Sequence, residues 1–360
     1  MFLVTLIVFL IIFSILVLVH EFGHFLAAKI SGVKVEEFGL GFPPRIFAKK
    51  KGGTIFSLNL IPFGGFVKLL GLEEEKKDSH SFSAKSVWSR AFILISGVFM
   101  NFVFAIVVFT LGFSIGMSPI VSSPSAYSQN SKNEIILVQV QSGSAAAKAG
   151  LASDETILAG QDANGWQNFN NIDDLQSFTK DNQGKPVTLK LKINGSEEEK
   201  QVTLDQGEAP LGVALTEMGI VKLRPDKAFV AATREVWAVS KVIVFFLGDV
   251  IKQLFVKGQL SSEIGGPVAI FSYTGQAVKF GFPVILQFVG LLSINLMLLN
   301  FVPFPALDGG KLVFIAMEAI FRKKLVRIEV ENIIHLIGLI LLILLIVVVT
   351  YRDIIKIVIR

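Results

Sequence analysis

The chain has no cysteine, so neither a disulfide nor a thiolate metal ligand is open to it, and any metal it holds must be bound through histidine and carboxylate. Charge is scarce as well: 18% of the 360 residues are Asp, Glu, Lys or Arg, against 52% hydrophobic. With 32 Phe beside three Tyr, that balance excludes an ordinary soluble fold and marks an integral membrane protein whose first partner is the lipid bilayer. A net charge of +5 could point to nucleic acid, but the location of the charges argues against that partner. Between Lys29 and Arg90 there are eleven Lys or Arg against six acids, whereas from Pro119 to Thr216 there are seven against twelve. Basic loops mark the cytoplasmic side, so the acidic segment is expected outside. The first apolar run also lacks a basic leader and a small-residue cleavage site, and is read as an uncleaved span.

That run, Phe2 to Val19, contains only Thr5 and Ser14 as polar residues, and with its continuation it gives a span over about residues 3–28. Near its end stands His20-Glu21-Phe22-Gly23-His24. Residues four apart share a helix face, so the two imidazoles can reach one metal ion. Glu21, one residue along, can take a proton from a zinc-bound water, whose pKa the ion lowers from about 15.7 to roughly 7. Ionisable groups in a span cost several kcal/mol each if stranded, so their presence points to function.

A catalytic zinc takes three protein ligands and leaves one position for water. Asp308 is the candidate third ligand, in Asn300-Phe301-Val302-Pro303-Phe304-Pro305-Ala306-Leu307-Asp308-Gly309-Gly310. Pro303 and Pro305 break the helix, and broken backbone at membrane depth is tolerated only where protein or a wet cavity satisfies it. A Gly-Gly turn is expected to follow.

With these two motifs the chain resembles the site-2 protease family of intramembrane zinc metalloproteases, in particular the bacterial regulator-of-sigma-E protease branch. The resemblance extends over nearly the whole chain through Gly39-Leu40-Gly41-Phe42, Asn59 to Lys68, a PDZ-like segment and Gly265-Gly266-Pro267-Val268. It implies that His20, His24 and Asp308 bind zinc, that Glu21 is the catalytic base, and that Asn300 bonds the substrate backbone or the developing oxyanion. It also implies single-span membrane substrates, such as anti-sigma factors already shortened by another protease or signal-peptide remnants. The family usually has Gly-Pro-x-x-Asn where this chain has Gly97-Val98-Phe99-Met100-Asn101, and Asn101 reads equally as interhelical packing or as active-site support.

The fold class expected is a polytopic α-helical membrane protein with four transmembrane helices, a membrane-associated β-hairpin region and one α+β PDZ-like extracytoplasmic domain. The N-terminal membrane part, residues 1–117, holds the first span, a β-loop region over 37–70 with its turn at Pro62-Phe63-Gly64-Gly65, a charged linker from Glu73 to Asp78, and a second span over 91–115. By resemblance the β-loop dips into the membrane and its edge strand holds unwound substrate, although a plain cytoplasmic hairpin fits the pattern too. A polar linker, Ser122 to Lys132, leads to the PDZ-like domain over 131–216, with a hairpin turning at Asn194-Gly195 and a departure from the usual pattern at Asp154. Many members of the branch carry two such domains; there is room here for one, which could hold substrate, filter by size or act as a spacer. Amphipathic helices lying at the membrane surface are expected over 225–280. The C-terminal membrane part, 281–360, holds a third span over 282–302, a basic loop from Lys311 to Arg327 and a fourth span over 333–350. His335 reads as a packed or interfacial histidine and His80 as a solvated one.

The sequence therefore describes a multi-pass protein of the bacterial plasma (inner) membrane, with both termini and the PDZ-like domain outside and a Zn2+ site toward the cytoplasmic face. A membrane metal transporter would line a path with polar residues instead of gathering one HExxH, and a silent PDZ adaptor would not need Glu21.

Overall fold

The computed structural model describes residues 1–72, 74, 76, 78–127, 133–153, 155–193, 196–258 and 265–358. Parts of both expected linkers (Glu73, Glu75, Lys77 and residues 128–132), together with Asp154 and the Asn194-Gly195 turn, lie outside the described residues. Two compact units result, one of residues 1–112 with 232–360 and the other of residues 113–231.

In the first unit, apolar sequence dictates helix, because inside a bilayer each backbone N–H and C=O must be bonded within its own segment. Among the described residues, four helices are long and apolar enough to cross a membrane: α1 (Phe2–Ile30), α2 (Val87–Ile115), α7 (Phe282–Phe301) and α9 (Ile328–Val358). Small residues let them approach closely. A Cβ on Gly23 of α1 would run into the Ser96 carbonyl of α2, and the Ser96 hydroxyl donates to the Gly23 carbonyl at 2.9 Å. Gly290 of α7 lies under the Phe109 ring of α2, and Ser293 Oγ donates to the Asn101 carbonyl at 2.9 Å. Ile12, Leu16, Val108 and Val289 form the buried seam between α1, α2 and α7.

Strands β1 (Val35–Lys51) and β2 (Thr54–Leu69) form an antiparallel pair that turns at Gly52 and Gly53, with φ of 58° and 79° as a two-residue hairpin turn requires. This tip, and not Pro62 to Gly65, makes the first reversal. Pro62 to Gly65 lies within the span of β2, and its role is different. Leu40 partners both Leu58 and Gly65, and Phe38 both Phe56 and Val67, so the chain wraps from one flank of β1 to the other through this stretch, with Gly64 at φ 74°. Burial along β2 inverts the usual order: Ser57 and Asn59 are buried, whereas Phe56, Leu58 and Leu60 are exposed, together with Phe42, Ile46 and Phe47 of β1.

The rest of this unit comprises most of α5 (Pro225–Lys257), with α6 (Pro267–Phe280) and α8 (Asp308–Phe321). Helix α8 corrects the expectation of a basic loop from Lys311: the apolar run Leu312 to Met317 continues the helix, which stops at Arg322 in the left-handed region, and only the cations from Arg322 onward lie beyond it. Nor do Gly309 and Gly310 form a turn. They sit in the first helical turn, and both must be glycine because a Cβ at 309 would strike the Val302 carbonyl and one at 310 the Phe304 carbonyl. The N-terminus of α6 is capped from afar, with Asp353 Oδ2 of α9 accepting from the Gly266 and Ala269 amides at 2.9 and 3.0 Å.

The described residues of the second unit form an antiparallel sheet of six strands, β3 (Asn133–Val140), β4 (Thr156–Asp162), β5 (Gly165–Asn168), β6 (Pro186–Ile193), β7 (Ser196–Thr203) and β8 (Val213–Gly219), ordered β7-β6-β4-β3-β8 with β5 on β4. Its core of Ile135, Leu137, Ile157, Leu189 and Leu191 is covered by α3 (Ala145–Lys148) and α4 (Ile172–Asp181) through Ala146, Leu175 and Phe178. Ser144 and Asn171 cap these helices by accepting from Ala147 N and Asp174 N.

The contact of Gly23 with α2 yields a stability test. A Gly23→Ala change meets backbone, which no rotamer can relieve, and overpacking of this kind costs about 1–3 kcal/mol. Thermal unfolding in detergent should fall by several degrees. Gly248→Ala in α5, where nothing lies within 4 Å of the added carbon, should be neutral or slightly stabilising.

Candidate metal centre

Helix α1 presents His20 and His24 one turn apart, both buried, and the first turn of α8 brings Asp308 against them across 284 residues of sequence. His20 Nε2 lies 2.9 Å and His24 Nε2 3.1 Å from Asp308 Oδ2, and the two Nε2 atoms are 3.2 Å apart. Ligand atoms set tetrahedrally about 2.0–2.1 Å from a zinc ion would stand about 3.3 Å from one another. The observed triangle is that figure less a few tenths of an ångström. Two imidazole lone pairs and a carboxylate oxygen aimed at one point repel unless a cation lies between them, so the donor set fits zinc, and among the described residues it is a group able to hold a metal.

The outer partners fix the imidazoles. His24 Nδ1 donates to the Ile93 carbonyl at 2.8 Å, which leaves Nε2 with its lone pair toward the centre. Asn101, fully buried, stands with its side-chain nitrogen 3.3 Å from His20 Nδ1, while its Oδ1 has no partner. An amide donor there opposes the tautomer a metal needs. A half-turn of the carboxamide settles both problems, since Oδ1 then accepts from His20 Nδ1–H and Nε2 is free to ligate. Both rings lie by Gly97 of α2, whose absent side chain makes room for Nε2 and Cε1 of His24 and Cε1 of His20.

Glu21 is not one of the three converging residues. Its Oε2 accepts from the Val67 amide of β2 at 3.0 Å, so the sheet holds the carboxylate beside the histidine face. Asn300, at the end of α7, places Nδ2 3.5 Å from His20 Nε2, at the limit of a hydrogen bond. His80 is exposed and bonded to Asp78, whereas His335 lies on α9 against Ala306. Sequence reasoning gave no role to Gly97, the Ile93 carbonyl or the Val67 amide. Gly97 was visible as a glycine in an apolar helix; the two backbone groups carry no signal in sequence.

Residues 8–345 match the model of peptidase family M50. A provisionally named zinc metalloprotease of Clostridium perfringens is 33% identical over 345 residues, covering 95% of this chain and 96% of the relative. The zinc metalloprotease RasP of Oceanobacillus iheyensis is 28% identical, covering 97% and 98%, and the regulator of sigma-E protease RseP of Salmonella typhimurium 28%, covering 86% and 89%.

Metal analysis of protein purified in detergent tests the site. Asp308→Ala should lose bound zinc, as two imidazoles alone under-coordinate the ion. Asn101→Ala should keep the site but weaken zinc about 10–100-fold in competition with a chelator, the usual effect of removing an outer partner. His80→Ala should match wild type.

Proposed function

This chain belongs to peptidase family M50, and on that premise we propose that it is a zinc-dependent endopeptidase cutting within or beside the transmembrane segments of single-span membrane proteins. The observation that carries the reading is the placement of His20, His24 and Asp308 around one point, with Glu21 adjacent, in a membrane protein.

A zinc ion held by His20, His24 and Asp308 would supply Lewis acidity, polarising the scissile carbonyl and lowering the pKa of a coordinated water to roughly 7. Glu21 accepts the proton of the attacking water and passes it to the leaving amine. The Val67 amide orients that carboxylate, and Asn101 and the Ile93 carbonyl keep the imidazoles turned inward. Asn300 donates to the substrate backbone or to the oxyanion as it forms, since its amide already points toward the ligand atoms.

A helical substrate must unwind before its peptide bond can be attacked. The exposed apolar residues of β1 and β2 (Phe42, Ile46, Phe47, Leu58, Leu60) suit strands that face lipid or an extended apolar peptide, and they support a β-loop dipping into the membrane. The second unit is PDZ-like: β8 is an edge strand of the sheet, and Leu175 and Thr179 of α4 line a cleft with Leu211, Val213 and Leu215 beside it. In the orientation that the charge asymmetry supports, this unit and both termini are extracytoplasmic, and the zinc site faces the cytoplasmic side of the plasma membrane. Anti-sigma factors shortened by a first protease, or signal-peptide remnants, are the substrate class proposed.

Glu21→Gln should retain zinc and lose cleavage of a single-span substrate in proteoliposomes by at least a hundredfold, because an amide accepts no proton from water; substantial turnover by this variant would remove Glu21 from the base role. A second assay addresses the PDZ-like unit. Met117 and Val221 pair backbone to backbone at 3.1 and 3.2 Å, so residues 118–220 can be replaced by a short linker between adjacent ends. If the unit filters by size, the shortened enzyme should cleave a transmembrane segment bearing a folded outer domain that the intact enzyme rejects. Equal discrimination by both enzymes rejects the filter.

A further inference from the structure

The loop that delivers Asp308 is held in an unfavourable backbone conformation by a histidine outside the metal triad. Ala306 has φ 83°, in the left-handed region that favours glycine and strains any other residue. Such a conformation persists only where its surroundings over-determine it. Here the Ala306 amide donates to His335 Nδ1 of α9 at 2.9 Å, and Pro305 packs on Gly338, three residues further along the same helix, where any Cβ would strike the Pro305 ring and carbonyl. Phe314 of α8 lies against the His335 ring, 5.8 Å between centroids. The Leu307 amide then closes a turn on the Phe304 carbonyl at 3.1 Å, and Asp308 follows as the first residue of α8.

An acceptor at Nδ1 requires that the neutral ring carry its proton on Nε2. That nitrogen is buried without a hydrogen-bond partner, its nearest carboxylate being Glu331 Oε1 at 4.0 Å. A leucine would fill such a place at no polar cost, so a packing role alone does not account for an imidazole with one orphaned nitrogen. The amide of Ala306 does account for it, because its N–H takes the ring nitrogen as acceptor, and the residue two before Asp308 must stay in its strained turn.

From this we infer that His335 is a positioning residue for the metal centre: by accepting from Ala306 N–H, it fixes the turn that sets the Asp308 carboxylate on the point shared with His20 and His24. The inference rests on the zinc reading of that triad. Removing His335 should loosen Asp308, and the loss should appear as weaker metal binding before any effect on the chemical step.

The test compares His335→Asn, His335→Gln and His335→Ala in the full chain, reading zinc affinity by chelator competition and the absorption spectrum of the cobalt(II)-loaded protein. An Asn carbonyl oxygen stands where Nδ1 stood, while a Gln oxygen stands nearer Nε2. Asn should keep zinc affinity within about 3-fold and preserve the tetrahedral cobalt spectrum, and Gln and Ala should lose about 10-fold or more with an altered spectrum. Should the alanine variant not fold, the Asn and Gln pair still decides. Equal affinity for Asn and Gln, or wild-type affinity for Ala, overturns the positioning role while leaving the zinc site standing. Wild-type protein that binds no zinc overturns both.

Discussion

Two imidazoles and a carboxylate meet among helices apolar enough to sit in hydrocarbon, where each polar group left without a partner costs several kcal/mol. That cost shapes everything around them. Each imidazole has an inward nitrogen aimed at the common point and an outward one committed to a neighbour, Ile93 for His24 and Asn101 for His20. The carboxylate enters from a helix that begins where the chain has just been broken by Pro303 and Pro305. Glu21 is tied to a strand, so the group that must move a proton is positioned by an element separate from those that hold the metal. Two ligands and the base stand on α1, the third ligand on α8 and the amide that holds the base on β2, so their mutual placement depends on how closely those elements can approach.

Glycine provides the approach. Gly23 brings α1 against α2, Gly97 leaves room for the two imidazole rings, Gly309 and Gly310 seat α8 on the carbonyls of the broken segment, and Gly338 admits Pro305 to the side of α9. None of these needs a left-handed φ; each is required because another atom occupies the space a side chain would take. The same principle separates α8 from the loop that basic residues alone would suggest. In a membrane protein, where helices gain little from burying apolar surface against one another, such contacts and the polar bonds they permit are what fix one arrangement.

How much of this could be read in advance follows from range. The spacing of His20 and His24, the apolar run that carries them and the strand-like alternation after residue 37 are local patterns, and the sequence shows them directly. Asp308 was legible through a broken helix and a missing third ligand. The Val67 amide, the Ile93 carbonyl and the His335–Ala306 bond were not, since each joins an unremarkable backbone group to a side chain far along the chain. Helix α8 was misread because its cations were weighed above its apolar run from Leu312 to Met317, and the turn placed at Pro62 to Gly65 proved to wrap β2 around β1 while Gly52 and Gly53 made the hairpin tip.

The central claim concerns the donor set, and X-ray absorption at the zinc edge of the purified protein reads that set directly. The account predicts a four-coordinate ion with two imidazole nitrogens and oxygen donors at about 2.0–2.2 Å, and half the imidazole scattering in His24→Ala protein that still carries metal. A shell of three or more imidazoles, or one made of oxygen alone, would contradict it.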